Sequence, residues 1–293
     1  MWEFGRSTQT KAVVLFSGGL DSTAILTSYV ARYESENVIA LSLLYGQKHD
    51  KELEAAKAIA GYLDVKHIIL DVGAIFQYDT TNPLLGKGEI PKGAYEVGLP
   101  ATYIHNRNNL FLNIAASIAL AHDFTTVVFG AHADDVAGAA YPDCSQAFAV
   151  AAHNAIYMAT GDKISVAAPF IDKKKSDIVT EAWSVHAPLE KTWSCYEGGQ
   201  FHCGQCSTCI DRKKAFKEAG IVDPTIYEDE EYEDIQVVVT GAKGGRFTRE
   251  WSATAKHVDA INWTISSPDL PHYIVGGIKD IQIIPYAGKM VKK

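Results

Sequence analysis

Short apolar runs rich in β-branched residues alternate with helical stretches from residue 11 onward. This alternation constrains the fold more than any other feature of the chain. Lys11–Phe16 (KAVVLF), Val38–Leu44, Val65–Asp71, Thr125–Gly130 and Ile164–Ala168 have the length and composition of buried strands. Helices are expected at about Ser22–Tyr33, Asp50–Leu63, Asn109–His122, Ser145–Thr160 and Lys174–Ser184. The second carries Leu53, Ala56, Ala60 and Leu63 on one face. Strands alternating with helices imply βαβ units, and so an α/β fold with a doubly wound, mainly parallel five-stranded sheet. Residues 72–100 show no clear periodicity, and a loop of that length inside a compact domain is usually functional or mobile.

After Tyr227 the texture changes. Glu228–Asp234 (EDEEYED) reads as an acidic linker. Beyond it, Ile235–Thr240, Ala260–Ile265, Tyr273–Val275 and Ile281–Pro285 read as short strands, with Trp251–Val258 helical. The expected organisation is an α/β domain over 1–228, which includes a cysteine-rich segment at 190–215, and a small β-rich C-terminal extension over 229–293.

Hydrophobic residues make up 47% of the 293, enough for a substantial core, and charged residues only 21%, too few for a disordered chain. Lys+Arg 27 against Asp+Glu 35 leaves a net charge of −8. No overall positive field draws the chain to nucleic acid or to an anionic membrane. No apolar run reaches the roughly 18 residues a membrane span needs, and Met1–Thr10 lacks the apolar core of a secretory signal. The expectation is a soluble cytoplasmic protein.

Ser17-Gly18-Gly19-Leu20-Asp21-Ser22-Thr23 falls between the first strand and the first helix, at the strand end where α/β sheets place their ligands. The glycines let backbone N–H groups approach an anion, and the following helix offers free N–H groups and the positive end of its dipole. Ser17, Ser22 and Thr23 add hydroxyls, and Asp21 can hold a divalent cation or orient the loop. The segment is neither a Gly-Lys-Ser/Thr P-loop nor a G-x-G-x-x-G fingerprint. It resembles the SGGxDS signature of PP-loop ATP pyrophosphatases, which cleave ATP between the α- and β-phosphates. The bland alternative is an ordinary glycine turn with a Ser/Thr cap.

Four of the five cysteines, Cys195, Cys203, Cys206 and Cys209, are spaced C-x7-C-x2-C-x2-C. Four thiolates at such spacings can surround a tetrahedral Zn²⁺ at about 2.3 Å each, in a closed and therefore structural site. An iron–sulfur cluster is the alternative, but no fourth Cys-Pro follows and no second cluster is available. A disulfide does not suit a reducing compartment. His202 reads as a neighbour of this cluster.

Taken in order, several segments are similar to the 7-cyano-7-deazaguanine synthases (QueC, also called ExsB-type) across about residues 11–225. They are Phe16–Thr23, Tyr45-Gly46-Gln47-Lys48-His49, Arg107-Asn108, Tyr141-Pro142-Asp143-Cys144, Lys175-Ser176-Asp177-Ile178 and Ser194-Cys195-Tyr196 with Cys203, Cys206, Cys209 and Arg212. Where the family commonly has Pro-Gly-Arg-Asn or Pro-Ala-Arg-Asn, this chain has His105-Asn106-Arg107-Asn108. Ala139-Ala140 intervene after Gly138, and Ser145 replaces an arginine. The region after residue 230 has no counterpart in the resemblance.

The resemblance implies an adenine nucleotide alpha hydrolase-like (HUP) fold. It also implies conversion of 7-carboxy-7-deazaguanine, ammonia and ATP into the nitrile preQ0, through an acyl adenylate and an amide. Leu15, Phe16, Ser17, Gly18, Gly19, Leu20, Asp21, Ser22, Thr23 and Gln47 would then bind ATP with Mg²⁺. Ser17, Asp21, Arg107 and Lys175 would carry the catalytic burden. Tyr141, Asp143 and Cys144 would line the deazapurine pocket, and the four cysteines would hold structural zinc. The implied partners are the deazapurine acid, ATP and ammonia, with a homodimer open to the chain and neither membrane nor nucleic acid involved.

Without the resemblance, Arg107 and Lys175 read as surface salt-bridge residues and Cys144 as a buried core thiol. His49 reads equally as a structural residue or a general base, and Trp193 and Tyr196 as packing beside the cysteines. Two other functions compete. One is a related PP-loop enzyme that passes the activated deazaguanine acid to a macromolecular amine. The other is a zinc-ribbon binding module, which would leave Ser17–Thr23 unexplained.

Overall fold

Ala12–Leu15 (β1) carries only apolar side chains and takes the centre of a five-stranded sheet, where both faces are covered. The computed structural model describes residues 10–94, 98–139, 141–228, 235–241, 246–251 and 278–285. From β1 the chain continues through α1 (Leu20–Tyr33), β2 (Val38–Leu44), α2 (Lys51–Tyr62), β3 (Lys66–Asp71), the short α3 (Gly73–Phe76), α4 (Arg107–Ala121), β4 (Thr126–Val128), α5 (Gln146–Ala159), β5 (Ser165–Ala167), α6 (Lys175–Ser184) and α7 (Ser207–Ala219). The strand order is β3-β2-β1-β4-β5 and every pairing is parallel. This is the expected doubly wound α/β sheet.

Alternation along β1 separates two apolar layers. Ala12, Val14 and Phe16 pack with α1, α2, α6 and α7, through residues such as Ile25, Ile59, Ile178 and Phe216. Val13 packs with α4 and α5, through Leu112, Ala116, Ala152 and Ile156. A strand buried on both faces cannot alternate apolar with polar, so its run is apolar throughout. The chain winds to β2 and β3 on one side of β1 and to β4 and β5 on the other. That reversal opens a crevice at the C-terminal strand ends, between β1 and β4.

Several expectations are corrected. The buried face of α2 is Ala55, Ala56, Ile59 and Ala60, while Leu53 turns to the crevice. Residues 72–100 contain α3 and a single helical turn at Pro83–Leu85. The helix α7 was not expected, because its buried side includes Arg212 and so lacks a continuous apolar stripe. Its first turn contains Cys209.

The chain divides into two compact units, Met1–Asp223 and Pro224–Lys293. Within the second, β6 (Ile235–Gly241) pairs antiparallel with β7 (Arg246–Trp251) and with β8 (Ile278–Pro285), in the order β7-β6-β8. Trp251 ends a strand instead of starting a helix, and β7 had not been expected. The rest of Trp251–Val258, together with Ala260–Ile265 and Tyr273–Val275, lies outside the described residues.

Candidate active site

The turn after β1 is held from both sides. Gly18 has φ +83°, and a Cβ there would fall 2.6 Å from Ala56 N and Glu52 O on the backbone of α2. Only glycine fits such a position. On the other side, the Trp193 N–H donates to Gly18 O at 3.0 Å. Within the turn, Gly19 N donates to Ser17 Oγ (3.2 Å), Ser17 N donates to Ser22 Oγ (3.3 Å), and Ser22 Oγ donates to Gly19 O (3.2 Å). Gly19 is the N-cap of α1 and supplies no side-chain cap. The helix starts at Leu20, two residues earlier than expected, so Asp21 and Ser22 stand in its first turn, where N–H groups lack intrahelical partners.

This turn opens on a cavity of about 700 Å³, within the range of small-molecule sites. The cavity meets the C-terminal ends of β1 and β2 and the residues following β4. Leu15, Phe16, Ser17, Gly19, Leu20, Asp21, Ser22, Gln47, Arg107, Tyr141, Asp143, Cys144 and Lys175 all line it. Gly18 does not, since it faces α2. Thr23 is fully buried below the turn. Gln47 Oε1 accepts from Tyr45 N at 2.9 Å.

At the turn, charges of both signs converge. Lys175 Nζ lies 3.2 Å from Asp21 Oδ2. His132 Nε2 lies 3.8 Å from Asp21 Oδ2 and 3.4 Å from Asp135 Oδ1. Burial acts to raise the Asp21 pKa, but Lys175 and His132 outweigh it and hold the carboxyl below its ordinary value. Burial acts to lower that of Lys175, and Asp21, Asp135 and Asp211 reverse it. Asp135 and Asp211 are both raised, chiefly by burial. The Lys175 N–H donates to Asp134 Oδ2 at 2.7 Å, fixing the start of α6. Asp21 Oδ1 is buried without a hydrogen-bond partner among the described residues, and an unpaired carboxylate oxygen here suits a divalent cation.

Away from the turn, Arg107 begins α4 with its guanidinium 5.5 Å from the Tyr45 ring centre and 6.0 Å from that of Phe111. Its neighbour Asn106 holds φ +57°, a left-handed conformation that asparagine tolerates, so this sequence can form the bend without glycine. Burial works against the Arg107 charge, but Tyr45, Tyr196 and Asp143 more than offset it and keep the guanidinium protonated. Asp143 Oδ2 accepts from Asn108 N at 3.3 Å, and its pKa is raised by burial despite that bond and Arg107. Tyr141 OH shares a hydrogen bond with Thr102 Oγ1 at 3.2 Å. Cys144 is buried with its pKa raised, chiefly by burial, which leaves it a neutral thiol. Neither Arg107 nor Lys175 sits in an open surface salt bridge.

The four cysteine sulfurs lie within 4.8 Å of one another. Backbone N–H groups of Glu197 and Cys203 point to Cys195 Sγ (3.4 and 3.3 Å), and those of Gln205 and Cys206 to Cys203 Sγ (3.4 and 3.3 Å). Such donors favour thiolates, and four thiolates at this separation form a metal-binding site. His202 stands beside the cluster, accepting from Ser194 N at 3.0 Å and packing on Trp193 with ring centres 4.3 Å apart. Trp193 Nε1 donates to Cys195 O at 2.7 Å, so it packs at the cysteines as expected. Trp193 and Tyr196 also line the cavity, which had not been expected. His49 bonds through Nε2 to Tyr196 O at 3.1 Å, a structural position.

Sequence reasoning missed His132, Asp135 and Glu52, all on the cavity wall. Their identities carried no spacing signal. The only pointers were that His132 and Asp135 follow a strand end and that Glu52 lies on the helix after Tyr45–His49.

Sequence comparison agrees with this geometry. The family described as queuosine biosynthesis protein QueC matches residues 11–220. The 7-cyano-7-deazaguanine synthase of Caldicellulosiruptor bescii is 38% identical over 221 residues, covering 75% of this chain and 98% of that protein. The synthase of Archaeoglobus fulgidus is 39% identical over 222 residues (75% and 91%), and that of Rhizobium rhizogenes 39% over 225 residues (76% and 94%). The matched region contains the Ser17–Thr23 turn, both walls of the cavity and all four clustered cysteines.

Proposed function

We propose that this chain, which belongs to the QueC family, is an ATP-dependent carbon–nitrogen ligase that makes 7-cyano-7-deazaguanine from 7-carboxy-7-deazaguanine and ammonia. The observation that carries the reading is the Ser17–Ser22 turn, shaped by Gly18 and open to a cavity with Arg107 and Asp143 on its wall.

A carboxylate is a poor acyl donor because its leaving oxygen is too basic. Attack by that oxygen on the α-phosphorus of ATP expels pyrophosphate and converts the leaving group into AMP. Ammonia then displaces AMP to give the amide. A second adenylation on the amide oxygen, with loss of N–H protons and departure of AMP, gives the nitrile. The protein's task is to position the reactants and stabilise phosphate charge.

In this reading Leu15, Phe16, Gln47 and the cavity-facing residues of the turn, Ser17 and Gly19–Ser22, hold the nucleotide, with the free N–H groups of α1 facing its phosphates, while Gly18 and Thr23 support the turn from behind. Lys175 and Arg107 place positive charge beside phosphate and substrate carboxylate. Asp143 suits the N1-H and 2-amino edge of a guanine-like base, which presents two donors to a carboxylate. Tyr141 and Cys144 complete that wall. Asp21 would hold Mg²⁺, which supplies charge neutralisation on the phosphates. Cys195, Cys203, Cys206 and Cys209 would hold Zn²⁺ in a closed, structural site. We assign this activity to residues 1–228 and treat 229–293 as a separate extension.

The test is to incubate the metal-loaded protein with carboxy-deazaguanine, ATP and ammonium. AMP and nitrile are expected, and Ser17→Ala should release far less AMP. If the wild type releases no more AMP than Ser17→Ala, the reading is wrong.

A further inference from the structure

The functional reading above, on which this inference rests, leaves one requirement unmet. In the last step an N–H bond of the adenylated amide breaks, and its electron pair becomes the third carbon–nitrogen bond. The C–O bond to AMP breaks at the same carbon, and AMP leaves with those electrons. The proton needs an acceptor within the cavity.

Glu52 occupies the first turn of α2, with its backbone carbonyl against the phosphate turn at Gly18 and its side chain on the cavity wall. The cavity carboxylates Asp21, Asp134, Asp135 and Asp143 are each held by an ion pair or a hydrogen bond. Among the described residues Glu52 has neither. Asp211 shares that state, but Lys175 and His132 face it. The groups facing Glu52 are Arg107 from α4 and Tyr45 from the end of β2. On its own helix, Lys51 is turned to Glu54 at 3.3 Å.

We propose that the Glu52 carboxylate is the catalytic base that takes the proton from the acceptor nitrogen as the nitrile forms. An unpaired carboxylate on the cavity wall, facing the Arg107 that this reading sets beside the substrate, is free to meet that substrate, whereas Asp21 is committed to Lys175 and is a weaker base. Burial raises the Glu52 pKa to about 7, with Arg107 pulling the other way, which matches a base working near neutrality.

The test supplies the amide with ATP and Mg²⁺ and follows nitrile formation from about pH 5 to pH 9. The wild-type rate should rise with pH to a plateau, with a midpoint near the value of about 7. Glu52→Gln should be about 100-fold slower and lack the rise, while calorimetric titration shows ATP binding unchanged. Glu52→Asp should keep a rise with a displaced midpoint and recover part of the rate. A Glu52→Gln protein that retains the rise, or the wild-type rate, overturns the assignment. If Glu52→Gln does not fold, Glu52→Asp decides: a displaced midpoint supports the assignment and an unmoved one overturns it. Wild type that makes neither nitrile nor AMP refutes the functional reading itself, and this assignment with it.

Discussion

The Lys175 ammonium lies 3.2 Å from the Asp21 carboxylate, joining the first turn of α6 to the first turn of α1 at the cavity wall. Removing the cation leaves Asp21, Asp135 and Asp211 without the charge that all three face. Lys175→Met should therefore lower the unfolding free energy by about 2 kcal/mol, less than a fully buried pair because both side chains keep some solvent contact. Adding Asp21→Asn should recover part of that loss, so the double-mutant cycle in urea should be non-additive. The carboxyl titrates below its ordinary 3.8 when folded. The pair's contribution is thus complete above that pH and is lost as pH falls through the folded value.

Gly18→Ala should damage fold and nucleotide binding together. Its φ is +83°, and the new methyl would meet two backbone atoms at 2.6 Å, which cannot swing aside as a side chain can. Gly46 has a similar φ of +87° with nothing within 4 Å. Gly46→Ala should cost about 1 kcal/mol from backbone strain alone. Gly18→Ala should cost markedly more and abolish ATP binding by calorimetry. Equal losses in the two variants would refute the steric account.

Glu52→Gln should stabilise the protein at alkaline pH. A glutamate raised from 4.5 to about 7 binds its proton more tightly when folded, so stability falls as pH rises from 4.5 to 7 and is flat above. The glutamine variant lacks that loss. At about pH 8 it should be roughly 1–3 kcal/mol more stable than the parent, with the two converging below about pH 4.5. Denaturant melts at the two pH values measure this directly.

Removing the metal should loosen the cavity as well as the cysteine cluster. Lys92 pairs with Cys206 as an isolated bridge, and Gly93 N donates to Gln205 O at 2.9 Å. Leu84 and Ala94 of that same stretch line the cavity. Trp193 connects Cys195 to Gly18. Chelation, or Cys206→Ser, should therefore open residues 83–94 to protease and weaken ATP binding. Unchanged cleavage after confirmed metal loss would mean the loop is held by other contacts.

The sheet was legible because its central strands β1 and β2 are almost wholly apolar and each strand run is separated from the next by a stretch of helical composition. All five strand runs were found to within a residue or two of their observed limits. The helix α7 was hidden by Arg212, a fully buried charge on its inner side. That arginine is matched by Asp223 at 3.1 Å and Thr192 at 2.7 Å, partners that no periodicity reveals.

Ser17–Thr23 and the cysteine spacing could be read without coordinates because their chemistry is local: a tight turn before a helix, and ligands a few residues apart. The linear order of residues thus determined a tight glycine turn at the start of a helix and a cluster of four cysteines that can hold a metal. Folding decided which side chains share the cavity: Asp21 with Lys175, Arg107 with Tyr45, and Glu52 facing both Arg107 and Tyr45. Charge and proton affinity at those positions depend on burial and on through-space partners contributed by distant segments, and such contacts exist only once the sheet has brought its strand ends together.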